Sequence, residues 1–204
     1  MKIIQITSRN EASALREAVA ILRSGGIIAH PTDTVWGLAA DWSNPKAVKK
    51  IHQIKGSEAS KNLLINLPSK AWLSKLGSKL CKAHKLAKAF WPGGLAMLIL
   101  TKDGKRKIGV RFPKHRLSNQ LAKAFGKPLI TTSANLRGEN PATSAAEIAE
   151  IFAQRKVKPD LILADNSKPA KLPSTIVDVS GSEAQLIRSG VIPFTRVLQT
   201  LKRQ

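Results

Sequence analysis

Hydrophobic and polar positions switch between strand-like and helix-like spacing along almost the whole chain. Short apolar runs, such as residues 26–30 and 95–100, are typical of buried strands. Apolar residues at helical spacing follow Asn44, which is succeeded by a proline, and Ser144, which forms a capping box with Glu147. This alternation of strand-like and helix-like segments predicts an α/β fold.

The remaining segments extend the alternation. Further strands are predicted at residues 1–6, 63–65, 108–112, 129–132, 161–163, 175–177 and 185–187. Further helices are predicted at residues 8–22, 69–90 and 117–125, the first from the capping-box spacing of Ser8 and Glu11. Seven or more strands without an internal repeat or a linker favour one mixed, twisted sheet with helices packed on it. Residues 1–204 are therefore interpreted as a single domain.

The charge of the chain is large and unevenly distributed. The net charge is +21, and 43% of the residues are hydrophobic, which argues against general disorder. Residues 1–45 balance four basic against four acidic side chains, whereas residues 46–127 hold 20 Lys or Arg against Glu58 and Asp103. The resulting local net charge of +18 favours a polyanion such as tRNA or double-stranded RNA, but a solvated lysine face explains it equally well. The few aromatic residues disfavour base-specific binding of single strands.

Several sequence signatures of function are absent. The chain has no Walker A sequence, no G-x-G-x-x-G before a helix, no H-E-x-x-H and no G-x-S-x-G. The lone Cys81 excludes an intramolecular disulfide and a Cys-rich zinc site, and the four scattered histidines indicate surface or core roles. No apolar run approaches the ~20 residues that span a bilayer. A cytoplasmic protein without a membrane partner and without a dedicated metal site is therefore expected.

Polar loops lie at the ends of several predicted elements, where open α/β sheets bind ligands. Residues 31–38, P-T-D-T-V-W-G-L, place two hydroxyls and a carboxylate between a strand and a glycine. Lys55 and Gly56 end a helix, so this lysine could contact a phosphate, and residues 131–135, T-T-S-A-N, end an apolar strand. Each loop taken alone is explained as well by an ordinary polar turn or a surface lysine.

In this order, however, the loops resemble one protein family. Together with F-W-P-G-G at residues 90–94, V-R-F-P at 110–113, P-S-T-I-V-D at 173–178 and I-R-S-G at 187–190, they resemble the short-form YrdC/Sua5 family over about residues 10–195. The resemblance implies a YrdC-like fold and an L-threonylcarbamoyladenylate synthase. Such an enzyme is a nucleotidyltransferase that uses L-threonine, bicarbonate and ATP, with Mg²⁺ accompanying the ATP, and releases pyrophosphate. Its product would pass to a threonylcarbamoyl transferase complex that modifies adenosine in tRNA.

The resemblance also implies roles for residues on two sides of a pocket. On the nucleotide side it implies catalytic and nucleotide-binding roles for Lys55, Ser133 and Asn135, and further nucleotide contacts from Thr143 and Arg188. Lys61 is expected as an additional nucleotide contact because it could supply a charge that the family pattern has nearby. On the threonine side it implies contacts from Thr34, Asn66, Arg111 and Ser174. The two-pronged guanidinium of Arg111 suits a carboxylate, although an ion pair is the structural alternative. For Ser174 the structural alternative is a turn hydroxyl.

Three positions depart from the family pattern. Ser57 stands where the family has an arginine two residues after the loop lysine, Asn66 where many members have a histidine, and Trp36 where a tyrosine is common. Loss of one charge-assisted phosphate contact costs about 1.5–3 kcal/mol and would slow adenylation about ten- to hundredfold, unless Lys61 supplies the charge. The alternative functions are therefore a catalytically weakened paralogue that binds structured RNA, and an adenylating carbamoyl transferase that uses another amine or carbamoyl donor.

Overall fold

The computed structural model describes residues 1–56, 63–170 and 172–203 of the protein. Ser57 and Lys61 lie outside these ranges. Within them the chain forms eleven strands: β1 (Lys2–Gln5), β2 (Ile28–His30), β3 (Gly37–Asp41), β4 (Leu64–Asn66), β5 (Gly77–Ser78), β6 (Leu95–Thr101), β7 (Lys107–Arg111), β8 (Leu129–Ser133), β9 (Leu161–Ala164), β10 (Thr175–Asp178) and β11 (Gln185–Arg188).

All these strands belong to one mixed sheet. Their order is β1-β9-β2-β3-β8-β4-β7-β6-β10-β11, and β5 pairs with β6 beside this path. Strand β9 is parallel to both of its neighbours, and β4–β7 and β6–β10 are also parallel pairs. The other pairs are antiparallel. The predicted α/β fold with a mixed sheet is thereby confirmed.

Seven helices accompany the sheet within the described ranges: α1 (Glu11–Arg23), α2 (Pro45–Lys55), α3 (Trp72–Leu76), α4 (Cys81–Phe90), α5 (Arg116–Phe125), α6 (Ala145–Phe152) and α7 (Phe194–Lys202). The side chain of Asn44 accepts hydrogen bonds from two backbone N–H groups of α2, and that of Ser144 accepts one from Glu147. Both predicted helix starts are thus confirmed. None of these helices, in the part of the chain that the structure describes, has the length and apolar character needed to cross a membrane.

The helices cover the two faces of the sheet unequally. One face carries α2, α4, α6 and α7, whose apolar side chains form two clusters that share Trp42. Ile65 and Ile130, which pair across β4 and β8, belong to these two clusters and lie on this face. On the opposite face, the buried cluster beneath α1 and α5 includes no described residue of β4, β6, β7 or β10. That half of the face is therefore open and forms the floor of a cleft.

The long helix predicted at residues 69–90 is wrong. The structure divides this segment into α3, β5 and α4. Gly77 pairs with Thr101 of β6, and a Cβ atom at Gly77 would lie 2.6 Å from the side chain of Leu80 and 2.7 Å from that of Ile99. Lys79 has a positive φ of 51°, which a helix does not accommodate. Close packing against β6 and this turn end the first helix before the second begins.

The structure differs from the predicted elements in three smaller ways. One concerns the start of α1, and the other two are elements that the sequence did not predict. Helix α1 begins at Glu11 after Asn10, and no side-chain hydrogen bond from Ser8 caps it. Instead, the Oδ1 atom of Asn10 accepts a hydrogen bond from the backbone N–H of Thr7 (2.8 Å). The capping box predicted from Ser8 is therefore wrong. Strand β3 and helix α7 are present in the structure although the sequence analysis predicted neither of them.

Candidate active site

A cleft of about 480 Å³ lies over the open half of the sheet. The strand register places alternate residues of β3, β8, β4, β7 and β10 on this face, among them Gly37, Ser133, Leu64, Arg111 and Ile176. Most of the other lining residues come from the loops after β2 and β8, the end of α2, the segment before β10 and the end of β11. The polar loops that the sequence analysis singled out therefore meet at one cavity.

On one side of the cleft, the ammonium group of Lys55 contacts the end of β8. Its Nζ atom donates hydrogen bonds to the carbonyl oxygens of Ser133 (3.0 Å) and Asn135 (2.8 Å), and to the Oδ1 atom of Asn135. Gly56 follows in the left-handed conformation, with φ at 54°, and ends α2 directly after the lysine. The structure thus brings Lys55, Ser133 and Asn135 together, and their catalytic role stays a prediction.

Side-chain hydrogen bonds hold the loop after β8 in place. The Ser133 hydroxyl donates to Oδ1 of Asn135 (2.5 Å), and Nδ2 of Asn135 donates to the carbonyl oxygen of Glu139 (2.5 Å). The backbone N–H of Ala134 donates to the carbonyl oxygen of Trp36 on β3's N-terminal side (2.8 Å). These bonds tie the loop to itself and to the neighbouring segment, and they set the position of the wall beside Lys55.

Arg111 is buried in a set of polar contacts elsewhere on the cleft wall. Its Nη2 atom donates to Oδ1 of Asp33 (2.6 Å), Nη1 to the hydroxyl of Thr34 (2.9 Å), and Nε to the carbonyl oxygen of Gly93 (3.2 Å). Burial lowers the pKa of the guanidinium and Asp33 raises it, so the group stays charged. Arg111 therefore forms an ion pair with Asp33, which was the structural alternative to a substrate-binding role. Nη1 and Nη2 each keep a second N–H group, which could bind a ligand.

The motifs P-S-T-I-V-D and I-R-S-G form another wall of the cleft. Arg188 donates from Nε (3.1 Å) and Nη2 (2.9 Å) to the carbonyl oxygen of Ser174, and from Nη2 to its hydroxyl (3.1 Å). A Cβ atom at Gly190 would lie 2.3 Å from the carbonyl oxygen of Pro173 and 2.5 Å from the nitrogen of Thr175. Because only glycine leaves room for this approach, the two motifs can pack side by side. The hydroxyl of Ser174 lines the cleft and is also tied to Arg188.

Asn66 does not line the cleft, although it lies on the same face of the sheet. It is paired with Arg111 on β7 and with Leu129 on β8, and it is 4% exposed. Its Nδ2 atom lies 3.5 Å from the hydroxyl oxygen of Ser118 on α5, and its Oδ1 atom has no hydrogen-bond partner among the described residues. A buried acceptor without a partner is costly. Because Asn66 lies outside the lining of the cavity, its contact with threonine stays a prediction.

Thr143 borders a second cavity of about 500 Å³. This cavity shares Val35 and Pro141 with the cleft, so the two are neighbours. The Thr143 hydroxyl donates to Oε2 of Glu147 (2.7 Å), and its carbonyl oxygen accepts from the indole N–H of Trp36 (3.0 Å). Thr143 therefore borders the second cavity and not the cleft, and its nucleotide contact stays a prediction. The predicted contact of Lys61 concerns a residue outside the described ranges.

Two buried histidines lie near the loops of the cleft. Burial lowers the pKa of His30 to about 4, and its Nδ1 atom donates to the carbonyl oxygen of Pro31 (3.0 Å). His115 caps α5 by accepting from the N–H of Ser118, and its Nε2 atom lies 2.9 Å from the hydroxyl oxygen of Ser167. Both are satisfied structural residues. No group of three or more His, Cys, Asp or Glu side chains in the described ranges could hold a metal ion.

Two charged residues that line the cleft, and a third that binds Arg111 behind its wall, were not among the predicted site residues. Asp33 lies inside P-T-D-T-V-W-G-L and binds Arg111, so its position beside Thr34 was the available signal. Arg137 and Glu139 follow T-T-S-A-N in the sequence and line the cleft beside Asn135. Their part in the cavity depends on the turn after β8, which no periodic pattern in the sequence indicates.

A mixed sheet, and a cleft that hydroxyl, amide and cationic side chains border beside apolar ones, are the features of an α/β protein with a candidate small-molecule site. The family model Sua5_yciO_yrdC, described as "Telomere recombination", matches residues 20–190. The chain belongs to this Sua5/YciO/YrdC family, as the resemblance of its motifs implied.

Relatives named threonylcarbamoyl-AMP synthase come from distant organisms. The chain is 31% identical to that of Pyrococcus abyssi in an alignment of 204 positions, and the alignment covers 96% of this chain and 59% of the relative. It is 32% identical to that of Chromohalobacter salexigens in an alignment of 184 positions, which covers 84% of this chain and 96% of the relative. The crystal structure of P. abyssi Sua5 complexed with L-threonine has a TM-score of 0.90 at 30% identity, over 99% of this chain and 61% of that one. This chain thus spans less than two thirds of the archaeal protein.

Proposed function

We propose that the protein is an L-threonylcarbamoyladenylate synthase, an adenylate-forming nucleotidyltransferase that uses L-threonine, bicarbonate and ATP. The observation that carries this proposal is the cleft itself, which Lys55, Ser133 and Asn135 border together with Thr34 and Arg111. The names of the relatives and the L-threonine complex of P. abyssi Sua5 support the same substrates. The continuous sheet supports the interpretation of residues 1–204 as one YrdC-like domain.

The proposed reaction needs no covalent nucleophile from the protein. The amine of threonine takes up carbon dioxide derived from bicarbonate as a carbamate, a carbamate oxygen attacks the α-phosphate of ATP, and pyrophosphate leaves. The protein must align the reactants and stabilise charge on the phosphoryl oxygens. Lys55 would contact these oxygens, and Arg111 and Thr34 would bind the threonine carboxylate and hydroxyl.

Mg²⁺ would enter this cleft with ATP rather than bind to a prepared protein site. Glu139 is the one carboxylate among the described residues that line the cavity, and Asp33, which does not line it, is paired with Arg111. A hard cation held mainly by phosphate oxygens and water fits such a donor set. When bound, Mg²⁺ would neutralise part of the charge on the phosphates. The cations of the cleft would bind the remaining oxygens.

Pyrophosphate release is the direct test of this function. The purified protein with Mg²⁺ and ATP is expected to release pyrophosphate only when L-threonine and bicarbonate are both present, because the carbamate is the attacking group. Omission of each substrate in turn, and replacement of L-threonine by L-serine or L-valine, provide the controls. Release that ignores threonine, or none at high enzyme concentration, would contradict the proposal. The substrate panel also tests the alternative in which another amine is used.

We propose that the product is consumed in tRNA modification by a threonylcarbamoyl transferase complex, and that the protein would act in the cytoplasm. The names of the relatives favour this synthase over a catalytically weakened paralogue that only binds RNA. RNA binding remains compatible with the enzyme, because the excess charge of residues 46–127 lies largely outside the cleft lining.

We further propose that RNA binds to one part of this basic region. Pairing of β5 with β6 places the segment around α3 beside the turn between β6 and β7. The exposed cations of these two segments form a surface that we call the basic hairpin surface: Lys75, Lys79, Lys102, Lys105 and Arg106. Two other lysines of the basic region are left out of this surface because they bind the protein backbone. Lys82 donates hydrogen bonds to the carbonyls of residues 181 and 182, and Lys85 donates to those of residues 201 and 203.

Charge removal tests the basic hairpin surface. The triple variant Lys75→Gln, Lys79→Gln, Lys105→Gln is expected to weaken double-stranded RNA binding and to reduce the slope of log K against log salt by roughly 2–3, because each phosphate contact contributes about 0.9. A variant with three exposed lysines changed elsewhere, Lys49→Gln, Lys123→Gln, Lys127→Gln, has the same net charge. Equal losses in the two variants, or affinity that does not depend on salt, would exclude this surface.

A further inference from the structure

We propose that Arg137 provides the second phosphate-binding cation of the cleft, in place of the arginine that the family pattern puts at position 57. This inference rests on the proposed use of ATP and concerns how this chain in particular holds the triphosphate. It makes Arg137 a nucleotide-binding residue that neither the motifs nor the composition of the chain indicates.

The position of Arg137 is the first support. It lies two residues after Asn135 and lines the same cavity as Lys55. Its Nη1 atom donates to the carbonyl oxygen of Gly56 (3.2 Å), and its Cβ atom lies 4.0 Å from the place that a Cβ atom of Gly56 would occupy. That carbonyl belongs to the peptide bond between Gly56 and Ser57. The guanidinium of Arg137 therefore lies beside the peptide carbonyl that directly precedes position 57 in the sequence.

The bonding of Arg137 is the second support. Arg111 and Arg188 also line the cleft, but each is tied to protein groups by three hydrogen bonds. Arg137 is exposed, and among the described residues its side chain makes one hydrogen bond, to a neutral carbonyl, and no ion pair. The bond orients the guanidinium without neutralising it. Its other N–H groups can therefore form a bidentate contact with phosphate oxygens, for which this planar group is suited.

The sequence supplies the third support. Ser57 follows the loop lysine at a distance of two residues, where the family pattern has arginine, so the charge that would accompany Lys55 is missing from this position. Arg137 brings one positive charge to Gly56, the residue before that position. The net charge around the triphosphate is thus kept although its source has moved from one loop to the other.

An exchange of the two residues tests this inference. Arg137→Ser is expected to reduce kcat/KM for ATP about ten- to hundredfold, with KM for L-threonine unchanged, because one charge-assisted phosphate contact is lost. Ser57→Arg in the Arg137→Ser background is expected to recover most of this loss. Arg155→Ser, which removes an exposed arginine after α6, is the matched control and should leave kcat/KM for ATP at the starting value.

Nucleotide binding separates a phosphate contact from a structural role and does not depend on turnover. By calorimetry with Mg²⁺, Arg137→Ser should lose affinity for ATP and little for AMP, with an unchanged melting temperature. Equal losses for ATP and AMP, a lower melting temperature, or no effect on ATP would overturn the inference and leave Arg137 as a brace for the Gly56 turn. Absence of threonine-dependent pyrophosphate release by the unaltered protein would contradict the proposed function, whereas the ATP and AMP comparison would still decide the role of Arg137.

Discussion

Replacing Lys55 by methionine is expected to slow threonine-dependent pyrophosphate release by about 100- to 1,000-fold, the effect of removing one preorganised donor from a transition state. The Nζ atom of Lys55 is held against the end of β8 by carbonyl and amide oxygens of Ser133 and Asn135. Charge on the phosphoryl oxygens increases as pyrophosphate leaves, and a cation already in position stabilises it without reorganisation. Single-turnover measurements of pyrophosphate formation at saturating ATP and threonine measure this effect directly.

The control for this experiment lies on the same helix. Lys49 is exposed on α2, so Lys49→Met removes an equal charge without touching the cleft and should retain the full rate. Lys55→Arg keeps the charge but changes its geometry and is expected to recover only part of the rate. A loss of less than threefold in Lys55→Met would show that this lysine does not act on the transition state. A matching fall in melting temperature would instead assign it to the fold.

Local patterns in the sequence were sufficient for elements whose ends carry their own signals. Asn44 followed by proline fixes the start of α2, and Gly56 fixes its end by adopting a left-handed conformation. The start of α6 at Ser144 follows the same logic. Such signals act within a few residues and are readable without tertiary information. Lys55 is placed at the cleft by this helix end, which is why its candidate role could be proposed from the chain alone.

Elements that depend on tertiary packing were not predicted. Strand β3 has the sequence Gly-Leu-Ala-Ala-Asp and is buried along its whole length, so it shows neither alternation nor β-branched residues. The break between α3 and α4 depends on the pairing of Gly77 with β6 and is invisible in a run of helix-forming residues. Helix α7 is different: its apolar Phe194, Val197 and Leu201 have helical spacing, so this pattern could have predicted it.

The candidate site divides in the same way. Motif order was enough to nominate Lys55, Ser133 and Asn135 together, although 78 residues separate the first two. The partners within the cleft were not accessible from the motifs, because they depend on which side chains the sheet register brings opposite one another. Asp33 reaches Arg111 across 78 residues, and Arg137 reaches Gly56 across 81. Electrostatic balance inside the cleft is therefore a property of the fold rather than of any one motif.

Replacing Arg111 by methionine is expected to destabilise the protein by about 3–5 kcal/mol, because it leaves a largely buried carboxylate without its partner. The Asp33 side chain is 15% exposed and the Arg111 side chain 5%, and Thr34 and Gly93 would lose a donor in the same change. For a protein of this size the expected fall in melting temperature is about 6–20 °C. The second change Asp33→Asn should recover part of the loss by removing the unpaired charge. A double variant that is less stable than Arg111→Met would contradict this explanation.

Arg111→Lys separates the support of the fold from contact with the substrate. Lysine keeps a positive charge beside Asp33, so most of the stability should be retained, but it lacks the planar fork that can bind Asp33 and a second carboxylate together. KM for L-threonine is therefore expected to rise about tenfold or more, the effect of losing one charged hydrogen bond, while KM for ATP stays within twofold. Steady-state kinetics with each substrate varied in turn measure both constants. An unchanged KM for threonine in a stably folded Arg111→Lys protein would show that Arg111 only forms the ion pair with Asp33. Binding of the threonine carboxylate requires the N–H groups of Nη1 and Nη2 that Thr34 and Asp33 do not use.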